Sequence, residues 1–234
     1  MLPACSIKKG SVGIFLCLWL CAAQAFSNAA PASVPNLDFV DGAAFVEKLL
    51  SETESWSDYT CTSELHNSKG EKTTVSSSRF FYKKGPQVRI EVIGGGFRDG
   101  SILVRSQGKV VARGGPWMGG MQMNLDPDSR LLILPSGANV TKADFPELFA
   151  RMKNQLEHGY TCLMSRQAVM EDSKKTLILE VYDPDKVLRA RVHLDADEHI
   201  PVRWESFVSD EVHTSTIFKN VRINTGLRDE LFKL

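Results

Sequence analysis

Ala190-Arg191-Val192-His193-Leu194-Asp195, a polar turn from Ala196 to His199, Ile200-Pro201-Val202-Arg203-Trp204-Glu205-Ser206-Phe207, and Thr216-Ile217-Phe218-Lys219-Asn220-Val221-Arg222-Ile223-Asn224 decide the fold. Val192 and Leu194 alternate with Arg191, His193 and Asp195, and Val202 and Trp204 alternate with Arg203 and Glu205. A period of two with polar breaks is the pattern of short antiparallel strands, so the stretch predicts a three-stranded meander. The tail Asn224-Thr225-Gly226-Leu227-Arg228-Asp229-Glu230-Leu231-Phe232 then turns at Gly226 and brings apolar residues back near the terminus.

The same period runs upstream. Strands are predicted from Tyr59, over Thr74–Tyr82 after a turn at Asn67–Gly70, and over Gln87–Ile93, Ser101–Ser106 and Lys109–Arg113, the last two joined by the tight turn Gln107-Gly108. Leu131–Leu134, Tyr160–Val169, Thr176–Tyr182 and Val187–Asp195 complete about eleven strands with the meander. Two helices interrupt them. Asp41 is placed to cap the first, which runs to about Glu54 with Phe45, Leu49 and Leu50 on its apolar side. Asp144 is placed to cap the second, with Pro146 in its first turn, Phe149, Met152 and Leu156 on one side, and Gly159 ending it. A long antiparallel sheet of this kind curls, and the helices are expected to cover its mouth rather than alternate with strands. The fold class is therefore mainly β (α+β), an unclosed antiparallel barrel.

The meander with a proline opening its second strand, followed by Asn-x-Gly-Leu-x-Asp-x-x-Phe, resembles the end of the LolA/LolB-like family of envelope lipoprotein-sorting and lipid-binding proteins. Lys83-Lys84-Gly85-Pro86-Gln87-Val88-Arg89-Ile90-Glu91 is similar to that family's basic-Pro turn feeding a strand, and Asp99-Gly100-Ser101-Ile102-Leu103-Val104 to its next hairpin. One residue departs: Gly85 stands where many carriers place an arginine that holds the cavity lid shut. No such role passes to Lys84. The resemblance implies a non-catalytic envelope protein that binds a lipid or acylated lipoprotein, with inner- or outer-membrane proteins as partners. Regulators of the same family imply an alternative, an envelope-stress sensor or protein-interaction module.

The first 25 residues match a secretory signal peptide: Lys8 and Lys9, an apolar run from Val12, and the small-x-small ending Ala23-Gln24-Ala25. The run is shorter than the roughly 20 residues needed to cross a bilayer. Leu16 and Leu20 precede Cys17 and Cys21, where lipidation would want a small residue. Residues 26–40 are expected to be an unstructured lead and 41–234 a single domain in the periplasm. With the leader gone, 26 basic side chains face 28 acidic ones, so the chain lacks the basic excess that nucleic acid requires.

Cys61 and Cys162 remain, each in a Tyr-Thr-Cys context at the start of a strand that follows a helix. A disulfide between them is the expectation in an oxidising compartment, with two buried free thiols as the alternative. His66, His158, His193, His199 and His213 show no metal or nucleophile spacing, and the cluster Asp195, Asp197, Glu198, His199 reads as a solvated turn. Gly94–Gly100 leads into a strand rather than a helix, unlike a dinucleotide loop. No cofactor, metal or catalytic residue is expected.

Burying an acyl chain in such a barrel is favourable by about 0.8 kcal/mol per methylene. Phe80, Tyr82, Val88, Ile90, Val92, Leu103, Leu177, Leu179, Val192, Leu194, Val202 and Trp204 are candidates for the inner face, although a one-residue slip would turn any of them outward. Trp117, Met118 and Met121, in the glycine-rich run 114–123, and Phe149 and Met152 are candidates for the lid. The methionine-rich run has two other readings, ordinary loop packing and Cu(I) ligation by Met118, Met121 and Met123.

Overall fold

The computed structural model describes residues 37–234 except 70–71, 96–97, 135–136, 172 and 209–210, and leaves the side chains of Lys69 and Trp117 undescribed. The expected signal peptide and most of the expected lead lie outside the described residues. The described strands are β1 (Phe39–Asp41), β2 (Asp58–Lys69), β3 (Lys72–Lys83), β4 (Gln87–Gly94), β5 (Ile102–Ser106), β6 (Lys109–Arg113) and β7 (Gln122–Leu125). They continue with β8 (Thr161–Ser165), β9 (Val169–Glu171), β10 (Lys174–Tyr182), β11 (Leu188–Asp195), β12 (Pro201–Val208) and β13 (Glu211–Ile223). Helix α1 (Ala43–Glu54) lies between β1 and β2 in sequence, and α2 (Phe145–Glu157) between β7 and β8.

All pairings are antiparallel, in the order β1-β8-β10-β11-β12-β13-β2-β3-β4-β5-β6-β7, with β9 added beside β10. The path ends on two strands, β1 and β7, that do not pair with each other, so the barrel is unclosed. The predicted meander is β11-β12-β13, and its chain reversal brings β13 against β2, joining the two halves of the sheet. A bulge between Lys219 and Arg222, with Asn220 at φ 54°, restores the facing of Ile223 against Tyr59. Gln107 and Gly108, both at positive φ, make the two-residue turn that twisted hairpins favour.

Several expectations are corrected. Asp41 does not cap α1: it ends β1 opposite Leu163, Gly42 occupies the cap, and the Asp41 carboxylate accepts from Ala43 N at 2.9 Å. At the end of the expected lead, Phe39–Asp41 forms β1 on the edge of β8. Leu131–Leu134 is no strand: Ser129 accepts from Leu131 N, and Arg130–Leu132 winds into a 3-10 turn that buries Leu132. The β2–β3 hairpin continues past Asn67 to pair Lys69 with Lys72, so the predicted turn is shorter. Tyr160–Val169 divides into β8 and β9, and β7 arises inside the glycine-rich run, giving thirteen strands among the described residues where about eleven were predicted.

The disulfide is also corrected. Cys61 and Cys162 are both buried free thiols, on strands β2 and β8 with four others between them in the sheet. Burial pushes each thiol up to about 12, so neither supplies thiolate near neutrality.

The C-terminal motif has a physical explanation. The Asp58 carboxylate accepts from Thr225 N, Thr225 Oγ1, Gly226 N and Leu227 N at 2.7–3.2 Å, while Asn224 accepts from Ser57 N at 2.8 Å. Gly226 adopts φ 75°, which suits glycine. Lys83 Nζ then holds Leu227 O and Asp229, and Arg89 holds Leu231 O, which sets the tail against β4 and β5 with Phe232 3% exposed. Burial pushes the Asp58 carboxyl up, but the hydrogen bonds together outweigh it and hold it below the usual range.

Two outcomes follow from this packing. Asp58→Asn should cost about 2 kcal/mol, lowering Tm by about 4–8 °C in a chain of this size, and should speed amide exchange at Gly226 and Leu227. Because the Asp58 pKa is lowered, its stabilisation is present above the ordinary carboxylate pKa and is lost as pH falls through the lowered one, so the variant's disadvantage should vanish in acid. Thiol titration of unreduced protein spanning residues 26–234 should find no reactive thiol when native and two when denatured.

Candidate functional site

The inner face is set by the register. Tyr59 opposes Tyr82, Cys61 opposes Phe80, Phe80 opposes Ile90, Tyr82 opposes Val88, and Ile90 opposes Leu103. On the other half, Leu179 opposes Val192 and Val192 opposes Trp204. Phe80, Tyr82, Val88, Ile90, Leu179 and Val192 therefore share one apolar cluster with Phe149 and Met152 of α2 and with Val46 and Leu49 of α1. Leu103 and Trp204 are half-buried against it. The helices fill this part of the interior: Val46, Leu49, Phe145 and Phe149 are fully buried.

The loop candidates behave differently. Met118 ends a 3-10 turn (Pro116–Met118) between β6 and β7 and Met121 follows it, and neither joins the cluster. Met121 is 58% exposed, and Met118 is half-buried against Gly114, where a Cβ would meet the Met118 side chain at 2.6 Å. Trp117 lies in the same turn. Met123 is half-buried in β7 opposite Ala112.

Helix α2 is anchored by polar contacts that the sequence reading missed. Asp144 caps it by accepting from Glu147 N at 3.1 Å, as expected, and also faces Arg105 of β5 at 3.5 Å, both side chains being buried. The Tyr59 hydroxyl accepts from Phe145 N at 3.1 Å while the two rings stack at 4.7 Å. Burial pushes the Asp144 carboxyl up, against the pull of the Glu147 amide and Arg105, and pushes the Tyr82 hydroxyl up to about 12. Arg105 shares its strand face with Leu103, and a cation among inward apolar positions was the available signal. At the end of α1, Lys84 Nζ donates to Glu54 O at 2.8 Å.

Beyond this cluster the inner face changes character. Leu65, Val92, Trp204 and Phe218 are half-buried there among Ser63, Ser76, Ser78 and Thr216, with Leu65 opposite both Ser76 and Thr216. The Ser63 and Ser78 hydroxyls bond across strands at 2.8 Å. The inner surface thus passes from a sealed apolar end under the helices to a half-open end with small hydroxyls.

The titratable groups lie elsewhere. His193 is on the outer face between Glu171 (2.6 Å) and Glu205 (3.6 Å); burial lowers its pKa, but the two carboxylates outweigh burial and raise it overall. Arg203 reaches Glu171 at 2.8 Å, and Arg191 reaches Glu180 at 2.7 Å. This is a charge ladder across neighbouring strands, a stabilising device of sheets. The Asp195 carboxylate accepts from Asp197 N and Glu198 N, the expected hairpin turn. Among the described residues no three His, Cys, Asp or Glu side chains are placed to share a metal ion, and no helix is long and apolar enough to cross a membrane.

No family model matches the sequence, and a search of curated proteins finds no match. Solved structures do match. An uncharacterized conserved protein from Thermus thermophilus is similar with TM-score 0.53 at 9% identity, over 82% of this chain and 93% of that one. The Pseudomonas aeruginosa MucA/MucB complex contains a similar chain with TM-score 0.50 at 14% identity, over 82% of this chain and 60% of that one. A LolA superfamily protein from Nitrosomonas europaea aligns with TM-score 0.44 at 10% identity, over 83% and 98%. At such identities the likeness concerns the fold alone. The unclosed antiparallel barrel with two helices is the fold class expected from the sequence.

Proposed function

We propose that this protein is a non-catalytic envelope protein that binds a lipid or a lipid-modified polypeptide on the inner face of its barrel, in a role related to lipoprotein sorting. One observation carries the reading: the inner face is continuous from the sealed apolar cluster to the half-open surface around Leu65, Trp204 and Phe218. An acyl chain laid on that surface leaves water with a gain of about 0.8 kcal/mol per methylene. Deeper entry requires α2 to move, and the polar contacts that hold it are Arg105 to Asp144, Tyr59 to the Phe145 amide, Arg151 to Lys142 O and Lys153 to Glu47 of α1. Phe149 and Met152 are then the lid, and Trp117, Met118 and Met121 a rim beside β7.

A protein-interaction role is the second reading. It is favoured by the similarity to a chain of the MucA/MucB complex, where a related fold is found with a polypeptide partner.

Native mass spectrometry of protein purified without detergent, followed by lipid extraction, tests the first reading. A stoichiometric acyl-bearing adduct is expected; a clean apo mass with no uptake of a fluorescent fatty-acid probe would favour the second. Trp204→Ala should weaken probe binding by about tenfold, the loss of about 1.4 kcal/mol of apolar contact. Asp144→Asn keeps a cap acceptor but removes the charge facing Arg105, and should raise the probe's association rate several-fold with faster exchange at the Phe145 amide. An unchanged rate with a loosened helix would exclude α2 as the lid. Trp117→Ala should weaken binding and leave Tm nearly unchanged; a large Tm loss with unchanged binding would assign that ring to packing.

A further inference from the structure

The inner face turns polar at a definite place along its central strands. In β2 the inward positions Tyr59 and Cys61 give way to Ser63, Leu65 and Asn67, and in β13 Phe218 gives way to Thr216 and Thr214. Two cross-strand rows result at the half-open end. Asn67, Thr214 and Ser206 lie side by side on β2, β13 and β12, and Leu65, Thr216 and Trp204 form the next row toward the helices. Directly opposed side chains on one sheet face stand about 5 Å apart. The half-open end is therefore a plate: an amide and two hydroxyls in one row, an indole, a leucine and a hydroxyl in the next. Neither row contains an ionisable side chain.

Two groups in the polar row lack partners. Asn67 Oδ1 is buried and accepts no hydrogen bond among the described residues. Thr214 is 5% exposed, and its hydroxyl likewise has no partner among the described residues. Buried polar atoms are nearly always paired, because leaving one unpaired costs its full desolvation. On the same face Ser63 and Ser78 satisfy each other at 2.8 Å, so cross-strand pairing is available where the fold alone requires it. The Asn67 side chain as a whole is half-buried and its terminal torsion is soft, so the oxygen can turn toward a donor laid on the plate. The backbone offers nothing there. At both rows β2, β13 and β12 are paired on both sides, and a ligand meets side chains only.

We infer that this plate receives the uncharged sugar head of a glycolipid whose acyl chain runs along the inner face toward the apolar cluster. The inference rests on the acyl-binding reading above and names the head group that reading leaves open. A sugar ring carries hydroxyls around its edge and C–H bonds on its faces. The edge supplies the donor that Asn67 Oδ1 lacks and meets the Thr214 and Ser206 hydroxyls, while one face lies against the half-buried indole of Trp204. A phosphate, carboxylate or ammonium head would leave water with no opposite charge in either row to replace it. A peptide adds to a sheet through a free strand edge, and these three strands have none.

The experiment compares dodecyl glucoside, dodecanoate and dodecylphosphocholine, equal chains with different heads, as competitors of a fluorescent acyl probe on the protein spanning residues 26–234. All are kept below their micellar concentrations. The glucoside is expected to bind at least about tenfold more tightly than either charged amphiphile, the gain from two or three neutral hydrogen bonds. With no ionic contact involved, its affinity should hold as salt is added. The near-isosteric double variant Asn67→Leu, Thr214→Val should reduce that advantage to about twofold or less while dodecanoate binding is unchanged. Its Tm should hold or rise, because the groups removed lack partners in the free fold. Ser206→Ala, at a half-buried hydroxyl, should reduce the advantage part-way and keeps the test decisive if the double variant fails to fold. Equal binding of the three amphiphiles, or an advantage untouched by the substitutions, overturns the sugar assignment and leaves acyl binding standing. Binding of none overturns both. N-dodecanoylglycinamide competing as well as the glucoside overturns the glycolipid in favour of an acylated polypeptide.

Discussion

A sheet whose two end strands, β1 and β7, do not pair with each other cannot bury its inner face by closing on itself. That face carries Tyr59, Phe80, Tyr82, Val88, Ile90, Leu179 and Val192, and something other than the sheet must keep water from it. The two helices do so, with Val46, Leu49, Phe145, Phe149 and Met152. Most of the remaining structure serves that arrangement. The Asp144 cap and its Arg105 partner fix where α2 enters, Lys84 fixes where α1 ends, and the Asp58 clasp ties the last residues to the opening of β2. The outer face needs less cover: the C-terminal turn shields β4 and β5, while the ladder from Glu180 through Arg191 to Glu205 lets charged side chains lie flat against one another.

The same arrangement links stability to function. A closed barrel would seal its interior with backbone hydrogen bonds, each worth little alone but cooperative in number. Here the seal between sheet and helices is made of side chains, and its polar part is small. A buried pair such as Arg105 and Asp144 contributes little net stability because both groups are desolvated, yet it specifies one position for the helix.

What was legible in the sequence was periodic. The inner-face assignment of Phe80, Val88, Ile90, Leu179, Val192 and Trp204 follows from alternation over long strands, where a slip would expose every apolar residue at once. Short elements carry too few residues for a period: β1 has three and β7 four, and both owe their existence to the strand beside them. Leu131–Leu134 misled because an apolar run suits a strand, whereas Ser129 turned it into a 3-10 helix. Arg105 was passed over as an ordinary strand residue because its partner lies 39 positions away. The cysteine pairing failed for the same reason: matching local contexts placed both thiols correctly at strand starts but could not reveal that β10 to β13 stand between them. Local chemistry is written locally; which strand becomes whose neighbour is not.

The separation of those two thiols has a consequence for how the chain reaches its fold. In the finished sheet both are sealed and carried on strands that four others separate, so the native state does not depend on a bond between them. A bond formed between them in an unfolded chain would tie together two strands that are not neighbours in the finished sheet.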